Sequence, residues 1–294
     1  MAERLCVRDD PTLGALVVLL AVVAGFAIWV GLIWSGNPPP VTEMVTPRGE
    51  TVTLFGEGVY RFNDVFRAWA FRAQDWVMVL ALLVALWAAL AMRGGRALAV
   101  LMAALGFVAY GYAVLVFSAA LDWVFPIHVA AFALAVLTLW RAGGDVRRLM
   151  ERPGMPRGLL AAFMVVAGIG TAAVWGPVLL AELTAAQTPH RLGSQTTPVT
   201  QALDLGVLVP FSLVAAALVM RRRASGHVVA LPILGVLIFL VPTVVAATIL
   251  QMQAGIEFEL FELIGPIGAV VALGLLAGLF LRAYLVALRE QEQE

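Results

Sequence analysis

Four carboxylates stand where long apolar runs begin or end: Asp75 after Gln74, Asp122 before Trp123, Glu182 between Ala181 and Leu183, and Asp204 between Leu203 and Leu205. An acid at the edge of an apolar medium is costly unless a cation neutralises it or a ligand uses it, so chemistry is to be sought there first. Two or more such groups converging would bind a cation or a cationic small molecule; held singly, each needs an arginine such as Arg61, Arg67, Arg72 or Arg191. His128, six residues after Asp122, adds an imidazole that could ligate a metal with Asp122 or Asp75, or act with Asp122 as a general base. Positions i and i+6 lie on different faces of a helix, so that pair meets only if the helix begins after Asp122. The competing role for His128 is packing, with a hydrogen bond to Tyr110 or Tyr112. Those two tyrosines diverge by roughly 200° on a helix, which predicts that only one points inward. With Tyr60, Arg61, Asp64 and Gln74, the candidate ligand-binding set is Tyr60, Arg61, Asp64, Gln74, Asp75, Tyr110, Asp122, His128, Glu182 and Asp204.

The elements that must position these residues are transmembrane helices. The chain of 294 residues is 62% hydrophobic and 13% charged, against roughly 25% charged in soluble domains. Stretches of about 20 apolar residues, the length that crosses a bilayer, fall at 12–35, 75–92, 97–119, 124–140, 158–181, 204–220, 227–250 and 264–284. The expected fold is an all-α bundle of eight spans, one integral membrane domain. The loops sort by charge. One side carries Arg4, Arg8, Arg93, Arg96, Arg141, Arg147, Arg148, Arg152, Arg157, Arg221 to Arg223, Arg282 and Arg289; the other carries most of the acids, for net charges of +6 and −6. The positive-inside rule puts the arginine side and both termini in the cytoplasm. Trp34, Trp76, Trp123, Trp140 and Trp175 fall near span ends, where the interface favours the indole ring.

Residues 36–73 are the one sizeable extramembrane piece and read as an extracytoplasmic cap. Asn37 with Pro38 to Pro40 makes a stiff linker, Thr46-Pro47-Arg48-Gly49 a hairpin turn, and the spacing of Phe66, Trp69, Ala70 and Ala73 an interfacial helix. Asp75 and Asp204 each open an uncharged run that ends at an arginine 18 residues on, Arg93 and Arg222. Four spans lie between them, so both acids are expected at one depth on one face. That pattern points to a 4+4 parallel repeat; the plain reading is that an acid suits any helix N-terminus.

Two blocks, Gly58-Val59-Tyr60-Arg61 with Gln74-Asp75, and Ala202-Leu203-Asp204-Leu205-Gly206 with Pro210 and Arg221-Arg222, resemble a widespread bacterial family of uncharacterised multi-pass membrane proteins. The resemblance covers about residues 52 to 235, implies a membrane fold in a bacterial cytoplasmic membrane, and supplies no activity. Tyr110, Tyr112 and Phe125 match that family's pattern, whereas Leu115 replaces an aromatic residue, Asp122 an asparagine and His128 a tyrosine. The family's seventh-span lysine has no counterpart, since the chain contains no lysine.

Several classes are excluded or unsupported. A formal charge of zero gives no electrostatic footprint for nucleic acid. One cysteine, Cys6, allows neither an internal disulfide nor a cysteine metal cluster. No dinucleotide fingerprint, nucleophile elbow or His-Glu-x-x-His occurs, His190 reads as a loop residue and His227 as solvated, and paired haem ligation lacks a second histidine within the spans. The cofactor is unknown from the sequence, with Asp122 and His128 as the weak candidates for a metal. With no ionisable residue expected at a span centre, a proton-driven pump is disfavoured. The leading expectation is a non-enzymatic protein that binds a small ligand or cation in an outward-facing polar pocket, for transport or sensing. The alternatives are an intramembrane enzyme acting on lipid or an exported substrate, and an assembly subunit that meets a second copy or another membrane protein through Gly274 and Gly278.

Overall fold

The computed structural model describes residues 10–36, 42–149, 157–184 and 191–293. Arg4, Cys6, Arg8, the linker at 37–40, Arg152 and His190 lie outside them. Eight helices are long and apolar enough to span a membrane: α1 (Pro11–Ile33), α2 (Val65–Leu90), α3 (Gly94–Ser118), α4 (Phe125–Leu149), α5 (Arg157–Thr184), α6 (Val199–Met220), α7 (Ser225–Gln253) and α8 (Leu260–Glu290). The protein is a predominantly helical, polytopic integral membrane protein.

Local chemistry sets the helix starts. The Asp10 carboxylate accepts the amides of Thr12 and Leu13 ahead of α1, with Pro11 in the first turn where its missing amide costs nothing. Asp64 caps α2 by accepting from Arg67 at 3.0 Å. The expected interfacial helix is therefore not separate from the second span. From Asp64 one helix runs through both, because Arg67 and Arg72 lie over the rings of Phe66, Phe55 and Trp69 and do not interrupt it. Asp75 consequently lies ten residues into α2, about 15 Å from its first residue, Val65. Before α2, strands β1 (Glu43–Val45) and β2 (Thr51–Thr53) pair antiparallel around the expected turn, with Met44 opposite Val52 and Gly49 at φ +86°.

α1, α2, α3 and α4 close into a ring in which α1 meets both α2 and α4. α5 to α8 pack in sequence, but α5 and α8 touch little, chiefly where Phe163 stacks on Phe280 at 4.6 Å. The two groups join through α7, which lies against α2 and α3. α3 is covered on all sides, which its small residues permit: a Cβ on Gly106 would overlap the backbone of Pro232, and one on Gly235 the backbone of Ala103. This central position explains why both Tyr110 and Tyr112 are buried, contrary to the expectation of one. α8, by contrast, is the least covered span.

Candidate functional site

Asp75 is 2% exposed. Its carboxylate accepts the Tyr60 hydroxyl at 2.7 Å and faces Gly31 of α1, where any Cβ would overlap Asp75 Oδ2. Burial first, then the charge and hydrogen bond of Asp75, hold the Tyr60 hydroxyl well above the usual tyrosine range, so it remains a donor. The next residue back, Gln74, donates from Nε2 to the carbonyl of Gly111 at 3.0 Å.

Asp204, 7% exposed, has a matching set from other elements. Its two oxygens accept the Tyr110 hydroxyl at 2.6 Å and the Trp175 indole N–H at 2.7 Å. The helix is wider here: residues Asp204–Leu208 form one π turn, in which the Val209 amide reaches the Asp204 carbonyl. Pro210 has no amide to bond the carbonyl of Gly206, which favours such a bulge. A second π turn, Leu263–Ile267, contains Pro266. Gln74 and Asp204 are thus held to adjacent residues of α3, Gly111 and Tyr110, some 10 to 12 Å below its end. Among the described residues neither Asp75 nor Asp204 forms an ion pair; their partners are neutral donors.

The other candidates divide among separate tasks. Asp64 binds the amide and hydroxyl of Ser194 at 2.9 and 2.8 Å, and so ties the segment after β2 to the α5–α6 connection. Asp122 pairs with Arg61 at 3.0 Å. His128 does not join Asp122, although α4 begins after it. The imidazole lies against the ring of Tyr112 at 5.9 Å, and the Tyr112 hydroxyl donates to the carbonyl of Ala24. The expected tyrosine neighbour is present as a ring contact, not a hydrogen bond. Glu182 is half-buried in the last turn of α5 and has an interaction of its own. Among the described residues there is no cluster of three or more His, Cys, Asp or Glu that would hold a metal.

Sequence reasoning missed Trp175, read as an interface anchor; Arg191, expected only as a partner for an acid, pairs with Glu262. Arg191 sits at φ +67° between Phe66 and Phe258, with Glu262 at 3.0 Å and the Glu257 carbonyl at 2.5 Å. It borders a cavity of about 520 Å³ with Ile256, Glu257, Phe258 and Glu259. His227 was also misread as solvated: it is 2% exposed, with Nδ1 2.6 Å from the Tyr284 hydroxyl. Gly274 packs within the chain against Leu237 and Val241, while a Cβ on Gly278 would meet nothing. A second cavity, of about 510 Å³, is lined by Trp34, Ser35, Gly36, Arg61 and Trp123. Comparison with family models, with curated proteins and with solved structures finds no match to this chain.

Proposed function

We propose that this membrane protein is not an enzyme but binds a small cation or proton at Asp75 and Asp204, in transport or sensing. One observation carries the reading: two carboxylates are buried within membrane-spanning helices and held by Tyr60, Tyr110 and Trp175, not by arginine. A carboxylate kept in such surroundings is a functional group by default, because a structural role is filled more cheaply by an amide or an apolar side chain. The π turn at Asp204 supports the same reading, since such bulges recur at functional sites. The position of Asp75 ten residues into α2 supports ion coupling in this reading, against the expectation of no ionisable residue at a span centre. The two acids form two polar centres beside α3, and the single roofed pocket expected from sequence is replaced in this reading by that pair. A bacterial cytoplasmic membrane, cytoplasmic termini, a 4+4 relation between the halves and membership of the family resembled above belong to the same reading.

The test uses the full chain in detergent, with thermal unfolding followed against alkali cations, methylammonium and pH. Asp75→Asn and Asp204→Asn each keep an oxygen for the tyrosine to donate to, so they are expected to fold and to lose the ligand-dependent shift. A shift retained in the double variant overturns the proposal. A second reading, association through α8, is favoured by the open surface at Gly278; a monomer in mild detergent would remove it.

A further inference from the structure

The cavity beside Arg61 has the parts of an anion site placed at an apolar edge. We propose that it takes the phosphate-bearing headgroup of a membrane phospholipid, independently of Asp75 and Asp204. Among the described residues, Arg61 is the one ionisable side chain in its lining. The pair it forms with Asp122 is lopsided: the side chain of Asp122 is 1% exposed and that of Arg61 18%, so the cavity is offered the cation while the anion stays behind it. A guanidinium held in this way keeps a fixed positive charge at the cavity wall, and arginine suits phosphate oxygens.

The walls are built, not incidental. Trp34 and Phe62 carry the guanidinium on their rings at 5.4 and 4.8 Å, and Trp123 meets Trp34 edge-on at 5.5 Å. The amide of Gly58 binds the carbonyl of Ser35, and Asn63 accepts the amide of Ala120, so both rims are anchored to the segment that carries Arg61. Gly58 is required there, because a Cβ would come within 2.7 Å of the Trp34 carbonyl. The chain adjoining the lining is apolar and outward-facing: Ile33 is 67% exposed, Phe117 59% and Leu121 74%. A ligand with its anionic end at Arg61 therefore has its other end beside surfaces that want hydrocarbon. This favours a lipid over a free phosphate.

Native mass spectrometry of the full chain tests the assignment, with phosphatidylglycerol, phosphatidylethanolamine, diacylglycerol of the same chains and inorganic phosphate as probes. Phospholipid is expected to be retained at least about ten-fold over diacylglycerol. Trp123→Ala, which removes a half-exposed wall, is expected to abolish that preference. So is the paired change Arg61→Gln with Asp122→Asn, which leaves no lone buried charge. Trp140→Ala, at an exposed tryptophan of the other end of α4, is expected to leave the preference intact. Equal retention of diacylglycerol, a preference unchanged in Trp123→Ala, or displacement of lipid by equimolar inorganic phosphate would each overturn it, the last by making the ligand a soluble phosphate.

Discussion

The Tyr60 hydroxyl donates to Asp75 inside a nearly dry contact, so removing it leaves a buried carboxyl oxygen without that donor. Tyr60→Phe is expected to lower stability by about 1 to 3 kcal/mol, the usual cost of an unsatisfied buried polar atom, read as a fall in Tm in detergent. The same change should alter the alkaline limb. Because the folded hydroxyl is held above its unfolded value of about 10, its contribution is fully present below that pH and is lost as pH rises beyond it. Wild type should therefore lose more stability above about pH 10 than the phenylalanine variant, and identical alkaline profiles would contradict the burial of Tyr60. Tyr60, Gln74, Asp75, Tyr110 and Asp204 were all legible as polar groups in apolar sequence. Their partners were not. Trp175 looks like any interfacial tryptophan until α5 is laid against α6, and the His227–Tyr284 contact joins residues 57 apart in sequence.

At the scale of elements, the number and order of spans were readable from hydropathy, but the start of α2 was not. Two arginines in its first turns argue against a span by composition. The Asp64 cap and the rings of Phe55, Phe66 and Trp69 dispose of that charge locally, and the helix begins ten residues before Asp75. Nor does hydropathy separate α3, buried all round, from α8, nearly bare, since lipid and protein interior are equally apolar. The glycines separate them. Gly235→Ala drives a methyl into the Ala103 backbone and should cost about 1 to 3 kcal/mol by overpacking, whereas Gly278→Ala in open space should fall within about 0.5 kcal/mol of wild type. Equal unfolding temperatures for the two variants would show that α3 and α7 are not in backbone contact.

For the molecule as a whole, the ion pairs report on how the spans alternate. Arg61–Asp122, Arg72–Glu57 and Arg191–Glu262 join residues assigned by charge to one face. Arg141 with Asp10 and Asp145, and Arg148 with Asp145, join residues assigned to the other. Among the described residues no pair crosses between the two sets, which is what eight complete crossings require and what one missed span would break. The proposed orientation adds the direction: by the positive-inside rule it assigns Arg148 to the cytoplasm and Glu57 to the opposite side. Both side chains are well exposed, at 74% and 68%, and suit labelling. In a background with Cys6 replaced by serine, Glu57→Cys should react with a membrane-impermeant maleimide on intact cells, and Arg148→Cys only after permeabilisation. Reaction of both from one side would break the alternation of spans, and with it the placement of Asp75 and Asp204 at a common level beneath one membrane face.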